Sequence, residues 1–523
     1  MKKITRGSVL GVIGMAIFAI GAGSAEAAET AGLMTAETFA GLELRNLGPA
    51  LMSGRIADIA IHPNDRSVWY VAVASGGVWK TVNSGTTWEP IFDDQVSYSI
   101  GCVTIDPENP EIVWVGTGEN NSQRSVGWGD GVYKSMDGGQ TWNRVGLERS
   151  EHIGKILIDP RDSNVVYVAA QGPLWAGGGN RGLYKTTDGG ANWERVLEIS
   201  DDTGVTDVVL DPHNPDVLLA ASYQRRRRVW ALIGGGPESA IYKSTNGGAD
   251  WTKMTSGLPK GDVGRIGFAV SPREPDIVYA TIAAQDEEKG FYRSTDFGQS
   301  WEKRSDYVAI DPQYYGEIFA DPHRFDRVYA MDVWIHYTED GGKTFKPLNS
   351  RYKHVDNHVM LFDPDDPEYL MVGSDGGIYE SWDRGSTWRH VRNFSITQFY
   401  RIQPDSAEPY YNVCGGTQDN NSLCAPSRTT VVHGIANSDW RLILGGDGYK
   451  PQFDPRDPNI IYTQYQYGNL FRYDRRTQER VSITPHPESG EPAYKWNWST
   501  PILVSPHNPE RIYYAAEYLF RSD

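Results

Sequence analysis

Three stretches of this chain gather residues that can do chemistry. In HVDNH (354–358), His354, Asp356 and His358 alternate with other residues. In an extended strand such residues share one face. Two imidazoles and a carboxylate on one face could hold a divalent metal, with Asp375 of the later GSDGG as a fourth ligand. The same residues could instead line a polar channel in which Asp356 orients a histidine.

The second stretch is GTGENNSQRSVGWGDG (116–131), with AAQGPLWAGGGNRG (169–182) and ASYQRRRRVWALIGGGPESA (221–240) as its counterparts. Trp128, Trp175, Tyr223 and Trp230 offer flat surfaces. Glu119, Asn120, Asn121, Gln123, Asp130 and Arg181 offer polar groups. That mixture suits a sugar ring or a peptide, and it also suits ordinary loop packing. The run Arg225–Arg228 fits an anionic ligand such as a uronic or sulfated glycan, or a solvated loop on an acidic protein. The third stretch comprises GGTQDNN (415–421) and GGDG (445–448), with Gln418, Asp419, Asn420 and Asp447.

From these, the candidate catalytic carboxylates are Asp419, Asp356 and Glu119. The candidate ligand contacts are Asn120, Trp128, Trp175, Arg181, Arg225, Trp230, Gln418 and Asp447. No cofactor is required, and a divalent metal at His354, Asp356 and His358 is the one option left open. Arg55, Lys155 and Arg265 each follow a glycine, and they could form a cationic ring or pair with Asp356 or Asp375.

The elements that must position these residues are repeats. KTVNSGTTW (80–88), KSMDGGQTW (134–142), KTTDGGANW (185–193) and KSTNGGADW (243–251) share one pattern. RSTDFGQSW (293–301), YTEDGGKTF (337–345) and ESWDRGSTW (380–388) continue it. Within each box one position is Asp137, Asp188, Asp296, Asp340 or Asp383, but Asn83 and Asn246 in two copies. A shared general acid or charged metal ligand would not survive that exchange, whereas an oxygen accepting backbone N–H bonds in a turn would. Another position is glycine in all seven, as a turn with positive φ demands. The boxes are therefore predicted to be structural hairpin turns.

Before each box lies an apolar strand, a proline-bearing turn and a second strand, as in AIHPNDRSVWYVAV (60–73) and LFDPDDPEYLMVGS (361–374). One unit is thus four antiparallel strands, with boxes 43 to 58 residues apart. That spacing marks a propeller blade. The expected fold is all-β: a seven-bladed β-propeller of four-stranded antiparallel blades over 41–395. GLELRNLGP (41–49) is expected to add a strand to the last blade. Residues 402–416, 453–466 and 504–517 repeat the strand-turn-strand element without full boxes, so 396–523 is predicted to be the truncated start of a second propeller. Loops on the face opposite the boxes are the place to look for function.

Residues 1–27 read as a signal peptide. Lys2, Lys3 and Arg6 precede an apolar run over 8–22, and Ala25-Glu26-Ala27 suits cleavage. Residues 28–40 would be a linker, and the mature protein secreted or periplasmic with no membrane span. The formal charge of −17 argues against a nucleic-acid partner. Three cysteines exclude a disulfide scaffold. Cys414 and Cys424 could bridge across a hairpin or stay reduced, and Cys102 reads as a core residue. Oligomeric state is not encoded in any pattern here.

The box pattern resembles the Asp-box, or BNR repeat, of sialidases, of the xyloglucanase family of tandem propellers and of the sortilin ectodomain. The order of GVWKT, GTGE, GVYKS, GLYKTTDGG, SDGGIYES and GGTQDN is similar to a bacterial group of exported sortilin-like or glycosyl-hydrolase-like proteins. The sortilin resemblance implies a binding protein that takes a peptide or glycan in its funnel or in a cleft between propellers. The xyloglucanase resemblance implies instead a glycoside hydrolase with one carboxylate from each propeller. In that family an Asp precedes Gly-Gly in the first blade, where this chain has Ala74 and Ser75, and the second-propeller partner matches Gln418 or Asp419. An enzyme here would therefore need a non-standard carboxylate pair or a metal. A sialidase is disfavoured, because Gly54-Arg55-Ile56-Ala57 departs from the Phe-Arg-Ile-Pro start of those enzymes.

Overall fold

The structure, a computed structural model, describes residues 2–3, 36–42, 45–49, 51–52, 54–121 and 126–523. Nearly all of residues 1–27, which the sequence reads as a signal peptide, and Gln123, lie outside them. Two compact units emerge: Ala50–Gln398, and Phe399–Asp523 together with Met1–Pro49.

The larger unit is a β-propeller. Among the described residues it contains seven antiparallel sheets with strands in chain order, one of them with an additional hairpin strand. Blade one runs Ile56–Ile61, Trp69–Val73, Gly77–Thr81 and Glu89–Pro90. Blade seven runs Asn357–Phe362, Leu370–Ser374, Gly377–Ser381 and Arg389–His390. Second strands such as Trp69–Val73 and Leu370–Ser374 are buried at every residue. Each is covered on both faces by neighbouring blades, which is why these segments read as continuous apolar runs.

Ile56, Trp69 and Val71 share one core with Val359, Met371 and Ile378, so blade seven packs on blade one. Among the described residues no added strand does this. Among the described residues, 41–49 form no strand, and Arg389–His390 completes blade seven. The expectation of an extra strand fails because the fourth strand is already present within the repeat.

Blade four departs from the others. Its second strand continues to Arg228 and folds back on Ala231–Gly234 as a projecting hairpin.

Among its described residues the smaller unit has three four-stranded sheets. The first runs Phe399–Pro404, Asn412–Thr417, Ser422–Pro426 and Arg441–Leu444. Cys414 and Cys424 face each other across it and form a disulfide, while Cys102 is free and buried. In the last sheet the outer place beside Leu519–Ser522 is taken by Lys2–Lys3. No helix among the described residues is long and apolar enough to cross a membrane.

Candidate functional site

The boxes show why acidic, repeated residues need not be catalytic. In the second box Ser135 Oγ donates to Asp137 Oδ1 at 2.8 Å and accepts from the Gly139 N–H at 2.8 Å. Asp137 Oδ1 also accepts the Thr141 N–H at 2.8 Å. Asn83 and Asn246 accept the matching N–H groups of Thr87 and Asp250 at 2.8 and 2.9 Å. The oxygen is what matters, and an amide supplies it. Hydrogen bonds from Thr141 hold the Asp137 carboxyl down at about 2. Trp142 reaches the previous blade through Ile91 O at 2.7 Å.

The first strands line the axis at the centre of the ring. Most of them carry a bulge at their start, with register slips between Ile56 and Asp58, Ile153 and Lys155, Val205 and Asp207, and Asn357 and Val359. A bulge re-aims the side chains beside it. The seventh residue before each turn-starting residue is Arg55, Ser99, His152, Gly204, Gly264, Tyr314 and Asp356 around the ring. At this level the blades disagree.

Arg55 is the hub. Its Nε donates to Asp375 Oδ1 at 2.8 Å, its Nη1 to Glu119 Oε1 at 2.9 Å, and its Nη2 to the Tyr314 hydroxyl. All four groups are buried. Asp375 also accepts from Tyr314 Oη at 2.5 Å. The Glu119 Oε2 accepts the Gly127 N–H at 2.8 Å.

His358 completes the cluster. Arg265 donates to Asn121 Oδ1 at 3.3 Å, which turns the Asn121 amide nitrogen toward His358 Nδ1 at 2.7 Å. Nδ1 is then an acceptor, and Nε2–H donates to Asp375 Oδ1 at 2.7 Å. Arg265 in turn pairs with Glu317.

Burial alone would raise Asp375, but Arg55 and His358 outweigh it and hold the carboxyl well below its ordinary range. Asp356 behaves oppositely. Burial first, then the Asp375 anion, raises it. Its Oδ1 accepts from the Tyr315 hydroxyl. Burial raises Glu119 as well. Neighbouring Lys353 is pushed down to about 7 by burial, and its Nζ donates to His354 O at 2.9 Å. The arrangement is one fixed anion beside a carboxyl that keeps its proton to higher pH. Such separated pairs suit acid–base work.

The metal set expected at HVDNH is not assembled in this geometry. Asp356 has φ +61°, and the strand begins only at Asn357, so the three residues do not alternate along a strand. His358 has both nitrogens occupied. His354 Nδ1 lies 2.7 Å from Val355 O.

Several other expectations need correction. Arg181 is spent on the carbonyls of Gln171, Pro173, Ala176 and Gly178, so it shapes its loop rather than facing a ligand. Arg225 is buried, held down at about 10 by burial, and donates to Gln171, which holds Asn120 Oδ1 at 2.6 Å. Asn120 is tied in turn to Glu317 at 3.3 Å. The arginine run is a strand paired with Ala231–Gly234, not a solvated loop, and it passes from buried Arg225 to exposed Arg228. Asp130 is bound by Tyr133 and Arg144. Trp128, Trp175 and Trp230 do stand open, at 66%, 54% and 80% exposure, whereas Tyr223 is buried.

In the smaller unit Asp419 is exposed at φ +56°, and its N–H donates to Asp447 Oδ1 at 3.0 Å. Gln418 accepts from Tyr400 at 3.1 Å, and Asp447 Oδ2 is buried without a partner. Asp447 therefore orders the turn that presents Asp419.

Tyr314, Tyr315, Lys353 and Glu317 belong to the site and were not singled out from the sequence. Matching each blade to the turn proline would have found Tyr314 at the place of Arg55.

Against known proteins, the family model described as Sortilin-Vps10 (sortilin, neurotensin receptor 3) matches residues 130–290 and 289–434, more than half of the chain. A xyloglucanase of Acetivibrio thermocellus is 25% identical over 350 residues, covering 56% of this chain and 38% of its own length. A probable oligoxyloglucan-reducing end-specific xyloglucanase of Neosartorya fischeri is 22% identical over 480 residues, covering 88% of this chain and 49% of its own. The chain thus spans half or less of these curated relatives. Among solved structures, the xyloglucanase of Xanthomonas campestris superposes with a TM-score of 0.53 at 13% identity, over 92% of this chain and 86% of that one. That likeness is one of fold.

Proposed function

The chain belongs to the Sortilin-Vps10 family, and from that premise we propose that it is an exported propeller protein that hydrolyses a glycan. Asp356 is assigned as the general acid. The observation that carries this reading is the contrast between Asp356 and Asp375. One carboxyl is raised and reached by Tyr315, and its neighbour is locked as an anion by Arg55 and His358. Glycoside hydrolysis needs a carboxyl that is still protonated when the leaving oxygen departs. The names of the xyloglucanase relatives support a β-glucan substrate class. Asp375 is a positioning residue here, since its oxygens are already engaged.

The test is a polysaccharide panel that includes xyloglucan, with reducing ends as readout. Asp356→Asn is expected to lower kcat by roughly 10²–10⁴-fold while leaving the melting temperature in place. Wild-type turnover in this variant would remove Asp356 from the mechanism.

A second reading is a glycan- or peptide-binding propeller without catalysis. It is favoured by the first blade, where Ala74 and Ser75 stand in place of the acidic residue of the xyloglucanase pattern and Ala74 is buried. Binding of a panel member without product release, unaffected by Asp356→Asn, is the outcome expected of it.

A further inference from the structure

The repeats act as controls for one another at the junctions between blades. After four of the box aromatics, an apolar side chain drops into the seam with the next blade. Phe92 fills the seam of blades one and two, Leu147 that of two and three, and Leu197 that of three and four. Phe394 does the same between seven and one. All four are buried to at least nine-tenths.

The seam of blades four and five is filled less fully, as are the next two, where Tyr307 and Leu348 are only half-buried. After the box aromatic Trp251 the apolar residue of the loop is Leu258, and it is only half-buried. Beside it lies a cavity of about 490 Å³ whose inner wall is Met254, Ile266 and Ile282, all core residues. The loop cannot sink to close it. Gly257 has φ +74°, and a Cβ there would meet Trp301 O at 1.7 Å, so this turn already rests on blade five. Trp301 N–H donates to Ser256 O at 3.0 Å, and Glu288 Oε2 accepts the N–H groups of Lys260 and Gly261 at 3.0 and 2.8 Å. The loop is pinned on both sides with the space left open.

Lys253 and Lys260 line the same cavity and are exposed, so they stand toward its mouth. The carboxylate on its wall, Asp262, accepts from Gln285 at 3.4 Å. The volume lies in the range of small-ligand sites. The slot thus carries Lys253 and Lys260, with Asp262 on its wall and Glu288 against the Lys260 backbone.

We propose that this seam is a binding site for a small amphiphile, an apolar chain of medium length ending in a carboxylate. The chain lies against Met254, Ile266 and Ile282, and the carboxylate meets Lys253 and Lys260. It is separate from the axial cluster.

Isothermal titration of the whole protein with decanoate and with decanol, each below its micelle concentration, tests this. Decanoate is expected to bind one per chain and about tenfold more tightly than decanol, the worth of a charge-assisted contact. Lys253→Ala with Lys260→Ala brings decanoate down to the level of decanol. Leu258→Trp fills the slot and abolishes both, and Thr255→Trp at the lip serves if that variant does not fold. Absence of binding by both ligands overturns the site. Undiminished decanoate binding in folded Leu258→Trp or Thr255→Trp protein shows a site elsewhere and overturns it too. Equal affinity for decanol, unmoved by the lysine changes, overturns the carboxylate assignment.

Discussion

The outer boxes and the axial cluster are both rich in carboxylates, and they use them in opposite ways. In a box the acid sits in solvent, accepts N–H and O–H bonds within a few residues, and can be replaced by Asn. On the axis, acids from different blades meet a single arginine, and no two blades contribute the same residue. Repetition therefore marks scaffold. The place where the repeats stop agreeing marks the part that was specialised.

Arg55→Met should break this contrast most severely. It leaves Asp375 and Glu119 buried without their cation, which costs about 3–5 kcal/mol. Chemical denaturation reads the loss. A change below about 1 kcal/mol would mean that the cluster is hydrated and not a closed network.

Ser135→Ala is the matching cut in a box. It orphans the buried Gly139 N–H, at a cost of about 1–3 kcal/mol. Asp137→Asn, mimicking the natural Asn83 and Asn246, should leave the melting temperature essentially unchanged. A large drop for Asn would return the box acid to the list of functional carboxylates.

A pH slope from the axis tests the same contrast. Burial raises Asp58 from an unfolded value near 3.8 to about 6. Its folded state holds the proton longer, so this group favours folding below pH 4 and loses that contribution as pH rises toward 6. Asp58→Asn should flatten stability across that window. Asp375, being depressed, acts the other way, and its contribution fades only as pH falls below about 4. Urea melts at stepped pH separate the two.

The fold was legible because the boxes and the strand-turn-strand elements repeat with fixed turn chemistry. Glu119, Asp356 and Asp375 were legible as polar residues where blades differ, and Arg55 as a cation after glycine. The tie among them was not, since it joins residues up to 320 apart in the chain. HVDNH misled because local alternation assumes an extended strand, and the left-handed Asp356 breaks it. Arg181 and Arg225 misled because a loop arginine can be consumed by backbone carbonyls or buried amides.

The most direct test of where function lies is glycan turnover, by reducing-end release from the panel, in Asp356→Asn beside Ser135→Ala. The expected result is a roughly 10²–10⁴-fold fall in kcat for the axial variant, with wild-type kcat for the box variant despite its lower stability. Full turnover in Asp356→Asn, with loss in a folded Ser135→Ala protein, would contradict the account.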